Sequence, residues 1–379
     1  MKPNILFLSL FICTGLVFGQ FENITAFQQK LIKNEITGSN VAMVYQGGEV
    51  VYHHIENSMH KHGKYINNNS IFPIWSMSKP VTIVAMMTLK EKGMIRFDDK
   101  VYKYIPEFKN LKCKDNNGDT YKCKSELTVF HLLTHRSGYR YYGNPHFFTS
   151  TIKYDNLKDL AADVAKHPVE FEPGSKYLYG LNMALLGRIV EVITQKTFYE
   201  YLKEEIFHPL EMNDTKFYLT KSDRDRFQPL FINDGAIKGY TNDLDELSYD
   251  AKNKAYLGGE GLTSTMSDYA NFCAMLLNGG SWNGKKIISE KSIDEMTQSY
   301  TDKPDDPFDY GYSLFILDDP ASDGTNSSKG IYGWSGYHNT HFWIDREKNL
   351  FGLFMTRARD YSSKIQKEFR RAVYASDIK

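Results

Sequence analysis

The sequence predicts an α/β (α+β) fold: an antiparallel sheet drawn from both ends of the chain, flanked by helices, with a mostly helical region inserted between them. Three observations predict it. Short alternating, β-branched runs gather near the N terminus (40–54) and near the C terminus (310–357). Between residues 111 and 256 the patterned stretches are helical instead. Strands and helices do not alternate one by one, which disfavours a doubly wound parallel sheet.

Taken in order, Glu22 to Lys33 reads as a helix. Asn40 to His54 reads as a β-hairpin around Gln46-Gly47-Gly48-Glu49. Pro80 stands near the first turn of a helix that runs from Val81 to Lys92 and stops at Gly93. Phe97 to Phe108 is a turn-rich link. Helical segments follow at Thr128 to His135, Leu157 to Lys166, Asn182 to Thr194 and Phe198 to Ile206. Residues 213–256, rich in Asp, Asn, Lys and Tyr, read as a long surface connection. Gly258 to Gly261 is a tight turn, and Ser267 to Leu277 and Ser289 to Gln298 are helices. Tyr310 to Leu317, Thr340 to Asp345 and Leu350 to Arg357 are strands, and Lys364 to Ala375 closes the chain as a helix.

The chain has 379 residues, with 46 basic and 46 acidic, so no charge excess points to a nucleic acid or an anionic membrane. A basic head, Met1-Lys2-Pro3-Asn4, precedes the apolar run Ile5 to Phe18 and the small residue Gly19, the pattern of a signal peptide spanning 1–19. About 14 apolar residues fall short of the roughly 20 that cross a bilayer, so no transmembrane segment is expected after cleavage. That pattern implies a periplasmic or secreted protein, in which Cys113 and Cys123, flanking a hairpin turn, are candidates to pair. Cys273 lies among apolar residues and reads as a buried thiol.

Chemistry centres on Phe72-Pro73-Ile74-Trp75-Ser76-Met77-Ser78-Lys79-Pro80. Ser76 and Lys79, three apart in a first helical turn, share a face, so a hydroxyl meets an ammonium at the positive end of a helix. A second Ser-x-x-Lys, at Ser58 and Lys61, lies in a polar stretch with no helix behind it and is set aside. Pro173-Gly174-Ser175-Lys176-Tyr177-Leu178-Tyr179 is a turn into a helix that can present the Tyr179 phenol. A phenol of pKa near 10 is a poor base at pH 7, and a neighbouring lysine cation is expected to lower it. Gly333-Trp334-Ser335-Gly336-Tyr337 reads as a Gly-rich turn before a strand, letting backbone N–H groups approach a substrate. Gly-x-Ser-x-Gly is absent. His53, His54, His60, His62, His131 and His135 lack the partners of a metal site, so no metal and no cofactor are expected.

In this order, the pieces resemble the serine β-lactamase and penicillin-binding superfamily, specifically its class C β-lactamase-like branch with its related esterases. Ser76-Met77-Ser78-Lys79 resembles the nucleophile motif. Leu132-Leu133-Thr134-His135-Arg136-Ser137-Gly138 resembles the branch's structural turn, and Phe171-Glu172-Pro173-Gly174 leading to Tyr179 its second motif. Gly258-Gly259-Glu260-Gly261-Leu262 resembles its Gly-Gly-x-Gly-Leu segment. The resemblance implies a β-lactamase/transpeptidase-like domain over 20–379, with Ser76 as the acylated nucleophile, Lys79 tuning proton transfer and Tyr179 as base and acid. It implies an oxyanion hole from the backbone N–H groups of Ser76 and Tyr337, beside Trp334, Ser335 and Gly336.

Two departures bear on substrate. Leu181 stands where the branch's lactamases carry Asn, and Asn182, one step later, is expected to point about 100° away. Trp334-Ser335-Gly336 replaces Lys-Thr-Gly, exchanging a cation for an apolar wall. The expected substrate is therefore a small-molecule carboxylic ester or related acyl compound. A β-lactam or D,D-peptide substrate is the alternative, and a non-catalytic binding protein the second alternative. Tyr139, Tyr141, Tyr142, Phe147, Phe148, Tyr240 and Tyr249 are candidates to wall the cleft or to pack beneath it.

Overall fold

The computed structural model describes residues 21–141, 154–233, 238–241, 245–300, 307–376 and 378. The segment 1–19, together with Tyr142, Phe147 and Phe148, lies outside the described residues. Asn40–Gln46 (β1) and Glu49–Glu56 (β2) form the expected hairpin, with Gly47 and Gly48 at φ 64° and 101°. Five further strands come from the C-terminal part: Phe308–Tyr310 (β3), Phe315–Leu317 (β4), Tyr332–Ser335 (β5), His341–Asp345 (β6) and Leu350–Thr356 (β7). The sheet order is β3-β4-β5-β6-β7-β1-β2, and each neighbouring pair is antiparallel. The two ends of the chain meet where β1 pairs β7, Asn40 opposite Thr356 and Gln46 opposite Leu350.

Both faces of the central strands are apolar because both are covered. Ala42, Val44, Trp343 and Phe354 point to one face, where they pack against Phe27 of Glu22–Lys33 (α1) and Phe369 of the C-terminal helix Ser363–Tyr374. Val41, Met43, Phe342 and Leu353 point to the other. There they meet the helix Ser78–Glu91 (α2), the helix Met266–Leu277 and, beyond these, the helical region with Asn182–Thr194 (α3). Met183 and Leu186 of α3 and Met87 of α2 belong to that same core.

Several expectations need correction. Tyr310 to Leu317 is two strands, β3 and β4, because Ser313 adopts φ 48° and Gly311 N–H turns back to Leu314 O at 2.9 Å. The Trp334 segment is a strand, β5, with the turn after it: Gly333 pairs Trp343 and Ser335 pairs His341. The stretch 213–256 is more than a surface connection. It includes the helix Lys221–Arg226 and strands Leu230–Ile232 and Gly239–Thr241, and its Phe227, Leu247 and Tyr249 pack in a small core with Ile71 and Trp75. Its polar composition reflects ion pairs, such as Arg226 with Asp223 at 2.9 Å, rather than lack of structure. Cys113 and Cys123 form a disulfide across the short hairpin Lys112–Lys114/Thr120–Lys122. Cys273 is buried and unpaired. Among the described residues, no helix is long and apolar enough to cross a membrane.

Candidate active site

The site is built on the N terminus of α2. Trp75–Met77 form one tight turn and α2 begins at Ser78, so Pro80 falls in the first turn, where a missing N–H is harmless. The helix is buried on nearly every side, from Ser78 to Leu89, which makes it the central pillar of the molecule. Three residues apart, Ser76 and Lys79 meet as their spacing predicts: Lys79 Nζ donates to Ser76 Oγ at 3.0 Å. A second donation, to Gly259 O at 2.8 Å, fixes the ammonium's position. The Gly258–Leu262 turn that supplies this carbonyl is itself tied to α2. Thr82 Oγ1 donates to Gly258 O (2.7 Å) and Leu262 N–H to Ser78 Oγ (3.1 Å).

Tyr179 arrives from the helical region, and its O–H donates to Ser76 Oγ at 2.8 Å. His135 pins the chain on either side of it. Leu178 N–H donates to His135 O (2.7 Å), Gly180 N–H to His135 Nδ1 (3.3 Å), and the amide of Asn182 lies 2.7 Å from the same nitrogen. Because Nδ1 accepts from Gly180, the neutral ring carries its proton on Nε2. Asn182 is thus turned away from Ser76 and into the core, where it also accepts from Ser137 (2.5 Å), in line with the expected rotation. Tyr139 is buried. Tyr141 lines the cleft, its ring 5.2 Å from that of Tyr179, while Tyr240 and Tyr249 pack elsewhere, on Phe231 and Phe227.

Burial governs the electrostatics. It pushes the Lys79 ammonium down to about 7, opposed only in part by the Glu260 carboxylate. Burial likewise pushes Glu260 up, against Lys79 and the Tyr141 hydroxyl that donates to it at 2.9 Å. For Tyr179, burial raises the phenol well above its ordinary value and outweighs its hydrogen bonds to Ser76 and Trp334. The expectation that a lysine cation lowers this phenol is therefore overturned: desolvation is the larger effect, and Lys79 itself loses charge.

On the opposite wall, β5 brings Trp334 to within 5.8 Å of the Tyr179 ring. Gly336 presses against the turn before Ser76: a Cβ there would lie 2.4 Å from Ile74 O and 2.2 Å from Thr340 Oγ1. Tyr337 follows, its ring 5.2 Å from that of Trp75. Ser76, Tyr179, Trp334, Ser335, Gly336 and Tyr337 all line one cavity of about 820 Å³, with Lys79 buried behind Ser76. That volume suits a drug-sized organic molecule. The structure thus brings Ser76, Lys79, Tyr179, Trp334, Ser335, Gly336 and Tyr337 together, whereas of the candidate wall aromatics only Tyr141 lines the cavity among the described residues. Sequence reasoning missed Trp75, Glu260, His341 and Arg370, which also line the cavity. Only Glu260 carried a signal, as the odd charged residue within a glycine-rich turn.

The Beta-lactamase family model matches residues 24–375. The chain belongs to the beta-lactamase family. Like that family's members it is a serine hydrolase, with a β-lactamase/transpeptidase-like fold. Its relatives include proteins named as esterases and as putative carboxypeptidases. Esterase EstB of Burkholderia gladioli is 24% identical over 376 residues, covering 92% of this chain and 93% of its own. A putative D-alanyl-D-alanine carboxypeptidase of Escherichia coli (strain K12) is 29% identical over 287 residues, covering 70% and 63%. Among solved structures, EstCE1, described as a hydrolase with promiscuous acyltransferase activity, superposes with a TM-score of 0.81 at 20% identity, covering 94% of this chain and 99% of its own.

Proposed function

We propose that this serine hydrolase is an exported esterase that cleaves a carboxylic ester through an acyl-enzyme on Ser76. The observation that carries the reading is the position of Ser76 Oγ, between Lys79 Nζ (3.0 Å) and the Tyr179 hydroxyl (2.8 Å), at an aromatic wall formed by Trp334. With Lys79 as the free amine, Ser76 Oγ attacks the ester carbonyl and its proton passes to Nζ. The backbone N–H groups of Ser76 and Tyr337 receive the oxyanion. As the C–O bond to the alcohol breaks, Tyr179 gives its proton to the leaving alkoxide and recovers one from the Lys79 ammonium. A water then repeats the sequence on the acyl-enzyme and releases the acid. Tyr179 thus keeps its acid role, while the proton of Ser76 passes to the amine that burial has freed.

Trp334, standing where the family's lactamases and peptidases have a lysine, supports an ester over a substrate with a carboxylate at that point. One observation favours the second reading, a D,D-peptidase or β-lactamase: Lys364 and Lys367 stand on the cavity lining and offer cations from another direction. Turnover of p-nitrophenyl acetate against a chromogenic cephalosporin separates the two, and a clear preference for the cephalosporin overturns the ester reading. Mass spectrometry after fluorophosphonate treatment should show one adduct, on Ser76, lost in Ser76→Ala. No adduct at all would leave the third reading, a non-catalytic binding protein.

Export is supported by the basic head and apolar run of residues 1–19 and by the Cys113–Cys123 disulfide, a bond kept in oxidising compartments. The reading places the hydrolase domain at 20–379, with the helical insert over 111–256. N-terminal sequencing of the protein from its native host should begin near Gln20.

A further inference from the structure

Behind Ser335 a buried polar chain runs to the C-terminal helix. Ser335 Oγ lies 2.8 Å from His341 Nδ1, and His341 Nε2 lies 3.1 Å from Arg370 Nη1. Arg370 then grips Asp323 with two further bonds, Nε to Oδ2 at 3.0 Å and Nη2 to Oδ1 at 2.8 Å. His341, Arg370 and Asp323 are 1%, 4% and 1% exposed, yet all three line the same cavity as Ser76. Three buried polar residues held in one line specify an orientation at the cost of desolvating each of them.

The orientation follows from donor chemistry. A guanidinium has only donors, so His341 Nε2 must accept, and a neutral imidazole then carries its single proton on Nδ1. Burial and the adjacent Arg370 cation hold His341 well below its ordinary pKa, so the ring stays neutral. Its plane is set as well, stacked between Phe315 (18° between planes) and Trp343 (26°). Nδ1–H therefore faces Ser335 Oγ and the backbone carbonyl of Trp334, and a protonated Nδ1 cannot accept from Ser335. The Ser335 proton has to leave in another direction. Tyr361, whose O–H donates to Gln366 Oε1 (3.1 Å), offers its oxygen to Ser335 at the cavity edge, where the tyrosine is 45% exposed. A substrate oxygen can take that place.

We propose that Asp323, Arg370 and His341 are positioning residues which aim the Ser335 hydroxyl, as a hydrogen-bond donor, at an acceptor oxygen of the ester bound beside Ser76. The proposal rests on the esterase reading above, and goes beyond it by giving Ser335 a direction and naming three residues outside the reacting set.

The test has two arms. Long-range ¹H–¹⁵N correlation spectra of the full-length protein labelled at histidine should show His341 as the Nδ1–H tautomer from about pH 5 to about pH 9. An Nε2–H ring, or one that protonates in this range, overturns the proposal, and this arm needs no variant. In the second arm, Ser335→Ala and Arg370→Met should each lower kcat/KM for p-nitrophenyl acetate about tenfold, the weight of one hydrogen bond. The double variant should lose no more than either single one, whereas additive losses overturn the coupling. Should Arg370→Met not fold, Asp323→Asn with Arg370→Met removes both buried charges and takes its place in the cycle. Fluorophosphonate labelling of Ser76 in the unaltered protein reports separately on the esterase reading.

Discussion

The indole N–H of Trp75 donates to Nδ1 of His338 at 2.8 Å, joining the residue before the proposed nucleophile to the residue after the proposed oxyanion donor Tyr337. An indole nitrogen can only donate, so the His338 proton sits on Nε2, which lies 2.5 Å from Glu246 Oε2. Glu246 in turn accepts from Arg359 at 2.7 Å. Trp75 is held at φ 48°, a conformation that costs energy for a bulky residue and needs support from its surroundings. Replacing Trp75 by Phe keeps an aromatic ring but strands a buried acceptor. The expected loss is about 1–3 kcal/mol of stability, read by urea unfolding. Turnover should fall about tenfold or more in the protein that remains folded, because both arms of the oxyanion site lose their tie. Unchanged turnover in a destabilised protein would show that the tie serves folding alone.

Tyr179→Phe removes the hydroxyl 2.8 Å from Ser76 Oγ and leaves the ring packed against His135, Tyr141 and Trp334. Stability should change little. Steady-state hydrolysis of p-nitrophenyl acetate should drop roughly 10²–10⁴-fold, the usual weight of a positioned proton donor or acceptor. Near-normal rates would reject its role.

The pH dependence follows from Lys79. Its pKa is pushed down to about 7, so the free amine fills in as pH rises through neutrality, and kcat/KM should rise with one inflection near that value. Tyr179 is shifted the other way and stays a phenol throughout that range. Glu260 favours the ammonium, so Glu260→Gln should move the inflection to lower pH. A kcat/KM that falls as pH rises through neutrality would mean that the working form of Lys79 is the ammonium.

Much of this arrangement was legible because it is local or ordered along the chain. Ser76 and Lys79 meet through helical spacing, and Gly47-Gly48 marks its hairpin with positive φ. Family resemblance added Tyr179 and Tyr337, which spacing alone does not bring near Ser76. What stayed hidden depends on tertiary distance. Nothing in the sequence near His338 points to Trp75, 263 residues earlier, and nothing near His341 points to Arg370. The sign of the Tyr179 shift is hidden for the same reason: a neighbouring charge can be read from a motif, but the depth of burial is set by the whole fold. The strand at Tyr332–Ser335 was hidden by Gly333 within it and Gly336 just after it, which suggest a turn when read locally. Gly333 is instead needed beneath Phe342, whose carbonyl would lie 2.1 Å from a Cβ.

Gly336 should be intolerant of even one methyl group. A Cβ there would lie 2.4 Å from Ile74 O, and that backbone carbonyl leads directly into the Ser76 turn. Gly336→Ala must push β5 and the Ser76 turn apart, so fluorophosphonate labelling of Ser76 should slow by about tenfold or more, as expected when reacting groups are misplaced. An alanine variant that labels at the original rate would show that the two segments move independently.

Trp334→Lys tests the substrate assignment most directly. Trp334 is half-buried, its ring 5.8 Å from that of Tyr179 and 6.1 Å from that of Tyr310, so a lysine stem can lie along the same aromatic wall with its head in the cavity. The substitution exchanges an apolar surface for a cation at the point where the family's lactamases hold a carboxylate. Turnover of p-nitrophenyl acetate should fall, because the acetyl ester has no charge to meet the ammonium and loses its aromatic contact. Cephalosporin turnover should rise, by about tenfold if one charge-assisted hydrogen bond is gained. Both substrates share Ser76, Lys79 and Tyr179, so damage to the reacting groups lowers the two rates together. Only a change in recognition moves them in opposite directions, and a parallel fall would remove Trp334 as the reason for preferring esters.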